Sequence, residues 1–122
     1  MNSEEKINFL KQNNVDADKG LENMMDIETY DEILNDFYEN VPEDMKKIEN
    51  YKNAGDMPNY AILVHALKSN ARSFGFTDLG EMAYAHELES KAGNTNYVNE
   101  NYQSLVDKVN ETLDIIKKYK EL

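Results

Sequence analysis

Apolar residues recur every three or four positions through most of this chain, the spacing that gathers them on one face of an α-helix. The longest such stripe is Tyr30, Ile33, Leu34, Phe37, Val41, Met45 and Ile48, and it predicts a helix over about residues 28–53. Pro42 falls within it; proline removes an amide donor and crowds the preceding turn, so a kink or a restart is expected there. Upstream, Ser3 precedes Glu4 and Glu5 and then Ile7, Phe9 and Leu10, which predicts a short N-terminal helix ending near Asn13-Asn14. Residues 15–25, with Gly20 set among aspartates, read as a connector with room for a turn or two of helix.

Punctuation is clearer downstream. Asn53-Ala54-Gly55-Asp56 supplies a stop followed by a capping Asp, and Pro58 suits the first turn of a helix that runs to about Phe74. Gly75 closes that helix and Thr77 is placed to cap the next, whose inner stripe is Leu79, Met82, Ala83 and His86, before Gly93-Asn94 ends it. A last helix begins near Thr95 and carries Val98, Tyr102, Leu105, Val106, Val109, Leu113 and Ile116. Four long amphipathic helices with short turns pack most simply as an antiparallel up-and-down bundle. The expectation is an all-α fold: one domain over residues 1–122, with an N-terminal helix and connector over 1–27 and a four-helix bundle over 28–122.

Composition agrees and removes several function classes. The 122 residues include two Pro, five Gly, no Cys and no Trp, which favours helices and excludes disulfides and thiolate metal sites. The formal charge is −11 and no segment concentrates Lys and Arg, so nucleic acid is not an expected partner. No apolar run approaches the roughly 20 residues that span a bilayer, so no membrane contact is expected. The polar start Met1-Asn2-Ser3-Glu4-Glu5 does not resemble a secretory signal. A soluble cytoplasmic domain is the expectation, either free-standing or part of a larger membrane-attached protein.

Candidate chemistry concentrates on the helix that starts near Pro58. On a wheel advancing about 100° per residue, Tyr60, Leu63, Val64, Leu67, Ala71 and Phe74 fall on one side. His65 centres the opposite side, with Ala61, Ile62, Lys68, Ser69 and Arg72 around it. An imidazole there is accessible, Lys68 and Arg72 can contact phosphate oxygens, and the small Ala61 and Ser69 let a partner approach. A neutral imidazole nitrogen is a competent nucleophile near pH 7. An exposed His beside Lys and Arg is nonetheless common on helices, and the wheel alone does not separate the two readings.

The run Val64-His65-Ala66-Leu67-Lys68-Ser69, with Gly75 ten residues after the His, resembles the signature of histidine-containing phosphotransfer (HPt) domains, H-x-L-K-[GS] and a following Gly. Gly20-Leu21, the pattern of residues 30–37 and Gly55-Asp56 with Tyr60-Ala61 are also similar to the variants in bacterial hybrid sensor kinases, so the resemblance covers about residues 18–93. It implies a phosphocarrier, not an enzyme, in two-component phosphorelays: His65 takes the phosphoryl group on Nε2, Lys68 helps neutralise it, and Glu87, twenty-two residues on, holds Nδ1. It further implies receiver domains as partners, a hybrid histidine kinase in cis, no cofactor on this chain and Mg²⁺ on the receiver.

Ile62, Ala66 and Phe76 are the expected apolar docking residues around His65, and Lys91 is a further candidate to face partner or phosphate. Two departures stand out. Ser69 replaces the commoner Gly, and His86 stands where Leu is usual, which reads as a packed histidine and not a second acceptor. The competing readings are a bundle adaptor that no longer transfers phosphate and a metal-dependent hydrolase. The second lacks a ligand pair, since two histidines twenty-one residues apart lie on different helices.

Overall fold

The computed structural model describes residues 3–122; Met1 and Asn2, the first two residues of the polar start, lie outside the described residues. Six helices account for the described residues, with no strand among them: α1 (Ser3–Gln12), α2 (Ala17–Met24), α3 (Ile27–Asn53), α4 (Met57–Phe74), α5 (Thr77–Lys91) and α6 (Thr95–Lys120). Helix contacts run α3 to α4, α4 to α5, α5 to α6 and α6 back to α3, so the four long helices close a ring around one core. The all-α bundle is therefore as expected.

Side-chain caps set most helix starts. Asp16, Asp26, Asp56 and Asn94 each accept from the backbone N–H three residues on, at 3.1, 2.8, 3.2 and 3.1 Å. Such a cap is typically worth about 1 kcal/mol. Helix α5 is the exception and corrects the expectation for Thr77. Phe76 occupies the N-cap without a side-chain bond, and Thr77 is already helical. The reason is packing: Phe76 is buried against Phe37 and Phe74, so the chain turns one residue earlier than the capping preference suggests. The same burial removes Phe76 from the docking surface proposed for it.

Two further expectations become definite. The connector over residues 15–25 contains a defined helix, α2, because Asp16 caps it and its buried Ala17 and Gly20 let it lie close to α4. A Cβ on Gly20 would come within 2.6 Å of the Phe74 carbonyl. Helix α3 also continues through Pro42 without stopping. Pro42 itself is exposed, so its ring does not displace core side chains.

Core aromatics tie α3 to the end of α4. Tyr30 packs edge-on against Phe74 at 5.6 Å and its hydroxyl donates to the Phe74 carbonyl at 2.9 Å. Gly75 then caps α4 with φ of 90°, and a Cβ there would collide with the Asp16 backbone, whose N–H donates to the Gly75 carbonyl at 2.8 Å. Only glycine meets both demands, so the turn after α4 is fixed from two sides.

Candidate functional site

Helix α4 buries Tyr60, Val64, Leu67, Ala71 and Phe74, which turns His65 outward with its side chain 55% exposed. Helix α5 packs along α4 over the largest helix–helix interface and carries Glu87 to the same place. The Glu87 side chain is 3% exposed, and a buried carboxylate is costly unless paired. Three groups pair it. Lys68 Nζ lies 2.6 Å from Oε1, Lys91 Nζ 2.8 Å from Oε2, and His65 Nδ1 2.7 Å from Oε2.

The protonation pattern follows. Burial pushes the Glu87 carboxyl up, but hydrogen bonds from Lys68, Lys91 and His65 more than reverse this and hold it down to about 2. Near neutral pH the carboxylate is ionised and can only accept, so His65 Nδ1 must carry the hydrogen it donates. A neutral His65 then presents its lone pair on Nε2, the ring nitrogen with no protein partner among the described residues. The resemblance implied this contact, and the structure has the two atoms 2.7 Å apart.

The other expected residues divide. Lys68 is 12% exposed and held between Glu87 and the Tyr84 ring, whose centroid is 5.1 Å from Nζ. Arg72 does not reach Glu87; its guanidinium lies 5.1 Å from the same ring centroid. Its stem crosses Gly80, where a Cβ would sit 2.8 Å from Arg72 Cγ. Ser69, Ile62, Ala66 and Lys91 are exposed as expected. Ala61 is not: it is buried and floors a shallow hollow with Pro58, Ile62, His65, Glu87, Ser90 and Lys91. Three helices, α2, α3 and α5, pack against α4, so its accessible face is narrower than a single-helix wheel implies.

Tyr84 and Leu88 were missed. Both are large, exposed and on α5, one holding the two cations and the other beside Glu87 in sequence. A wheel of α5 drawn from Glu87 would have placed Tyr84 one turn away. His86, by contrast, is buried as expected, with Nδ1 2.8 Å from the Tyr60 hydroxyl, an edge contact to Tyr97 and no hydrogen bond at Nε2. Burial lowers its affinity for a proton, and the Asn101 backbone only partly offsets this.

No group of three or more His, Cys, Asp or Glu among the described residues is arranged to hold a metal ion, and no described helix is long and apolar enough to cross a membrane. Comparison with curated proteins and with solved structures returns no match. The family model for the Hpt domain matches residues 32–117, from early α3 to the last turn of α6, which takes in His65, Lys68 and Glu87 and leaves out α1 and α2. Members of that family serve phosphotransfer in His–Asp phosphorelays, act as phosphocarriers and interact with receiver domains. With the match covering well over half of the chain and reaching all four helices of the ring, the chain belongs to the Hpt domain family.

Proposed function

We propose that this chain carries a phosphoryl group on His65 Nε2, taking it from an aspartyl phosphate of one receiver domain and giving it to an aspartate of another. The observation that supports this most is the pairing of an exposed imidazole with a buried carboxylate at 2.7 Å. Glu87 keeps the proton on Nδ1, so the Nε2 lone pair attacks phosphorus in line, the N–P bond forms, and the acyl P–O bond breaks to release the receiver's carboxylate. The phosphorylated ring is cationic while Nδ1–H remains, and the ionised Glu87 beside it offsets that charge.

Lys68 is the group on this chain that neutralises phosphoryl oxygens, and Lys91 and Arg72 sit within the same cationic rim. Ile62, Ala66 and Leu88 provide exposed apolar contact for the receiver, with the small Ser69 allowing its backbone near. We place Mg²⁺ on the receiver and the transfer in the cytoplasm. Incubation with a phosphorylated receiver tests the reading: acid-labile, base-stable label is expected on the wild type and absent from His65→Gln. Receiver binding without any label would make this an adaptor.

A further inference from the structure

Beyond phosphotransfer, a second surface of the molecule has the chemistry of a docking site. Its charge is distributed unevenly. Residues 16–44 hold eleven Asp and Glu against one Lys, a net −10, whereas the whole chain carries −11. The rest of the protein is close to neutral, so the acidity is a property of α2 and the first two-thirds of α3.

A groove lined by five apolar and five polar residues opens in that acidic region, between α3 and the adjoining parts of α2 and α4. Ile33, Phe37 and Val41 line it from α3, Met24 from α2 and Phe74 from α4. Ile33 is 40% exposed although its stripe faces the core elsewhere. From Ile33 to Asp44 the α3 wall is about 16 Å long at 1.5 Å per residue, enough for two to three turns of a second helix. Asp36 and Asp44 stand along this wall, and neither carboxylate has an ion pair or hydrogen bond among the described residues.

We propose that this groove docks a basic amphipathic helical segment of another protein, whose aliphatic side chains cover Ile33, Met24 and the floor beneath them while its Lys or Arg pair with Asp36 and Asp44. The charge excludes the anionic alternatives: a nucleic-acid backbone or an acidic lipid surface would be repelled by the same residues. Neither His65 nor any of the groups bonded to Glu87 lines the groove. A partner seated there leaves the transfer site open, so a basic segment and a receiver can be held at once.

The test uses the full chain and a fluorescein-labelled helical peptide of Leu and Lys, with Leu on one face, against a scrambled peptide of the same composition. Fluorescence anisotropy should give salt-sensitive binding for the amphipathic order and about tenfold weaker binding for the scramble. Asp36→Lys with Asp44→Lys, and separately Ile33→Gln, should each weaken binding about tenfold or more. Glu100→Lys with Glu121→Lys changes the net charge equally, away from the groove, and should cost less than about threefold. Amide shifts on titration should centre on residues 33–44 and 70–74.

Equal losses in both charge-reversed variants, or shifts centred on residues 62–68 and 87–91, would overturn the proposal. Reversible self-association abolished by the groove variants would assign the groove to a second copy and overturn it too. Asp36→Asn with Asp44→Asn, checked by circular dichroism, keeps the test decisive if the lysine variant does not fold. His65→Gln should bind the peptide like the wild type, which separates this surface from the phosphotransfer reading.

Discussion

His65 and His86 lie on neighbouring helices, each with a ring nitrogen held at under 3 Å, and they are opposite kinds of histidine. The first leans on an ionised carboxylate and leaves Nε2 at the surface; the second leans on a neutral phenol and leaves Nε2 sealed inside the ring of helices. An imidazole is thus presented at the surface or packed into the core according to its second partner and its access to solvent. The largest expected effect tests that division directly. His65→Gln should abolish labelling by a phosphorylated receiver while changing stability by about 0.5 kcal/mol or less, because the side chain is over half exposed and Glu87 keeps both lysines. His86→Gln should still be labelled, and the reverse result would exchange the two roles.

Removing the carboxylate removes what distinguishes His65. Glu87→Ala should slow transfer about 10- to 100-fold, since the ring loses its fixed tautomer and two lysines lose their counter-charge. Glu87→Gln should recover much of the rate, because an amide oxygen still accepts from Nδ1. Single-turnover kinetics with both variants separates orientation from charge. If Glu87→Gln is as slow as Glu87→Ala, the negative charge matters more than the tautomer.

For His86 the corresponding loss is in stability. His86→Ala should cost about 2–4 kcal/mol in urea unfolding, from the cavity and from the Tyr60 hydroxyl left unpaired. Its titration has a definite sign. Burial sets the folded value below the ordinary 6.5, so the unfolded chain binds more protons once the pH falls below about 6.5. The contribution of neutral His86 is complete above that pH and declines below it, and His86→Leu should flatten the slope. Glu87 acts lower on the scale: its value of about 2 against 4.5 means its contribution is present above 4.5 and is lost as the pH falls toward 2.

Much of this contrast was legible in the chain. Periodicity put His65 off the core stripe and His86 on it, and the Asp56 cap and Gly75 turn fixed α4 in register. What the wheel missed has one cause. It ranks positions around a single helix, so it could not see α5 covering Ala61, or the aromatic cluster drawing Phe76 inward and displacing the cap from Thr77. Tyr84 escaped because its role depends on Lys68 and Arg72 reaching across from α4. Helix α2 was read only as a connector with room for a turn or two of helix because Gly20 reads as a breaker, whereas here it is a contact point.

The smallest effect divides the two lysines that share Glu87. Both make short ion pairs, but Lys68 is 12% exposed and braced by Tyr84, whereas Lys91 is 61% exposed at the end of α5. An exposed i,i+4 pair is worth only about 0.3–0.5 kcal/mol, while a shielded charge-assisted bond is worth about 1.5–3. Lys68→Ala should therefore shorten the lifetime of phospho-His65, or slow its formation, about tenfold or more. Lys91→Ala should change either by about twofold, an effect that added salt diminishes. Hydrolysis of the phosphorylated chain, followed at two ionic strengths in both variants, gives the comparison. Equal effects would mean that Lys91 turns from Glu87 to the phosphoryl group once it arrives, making its exposure a measure of readiness and not of weakness.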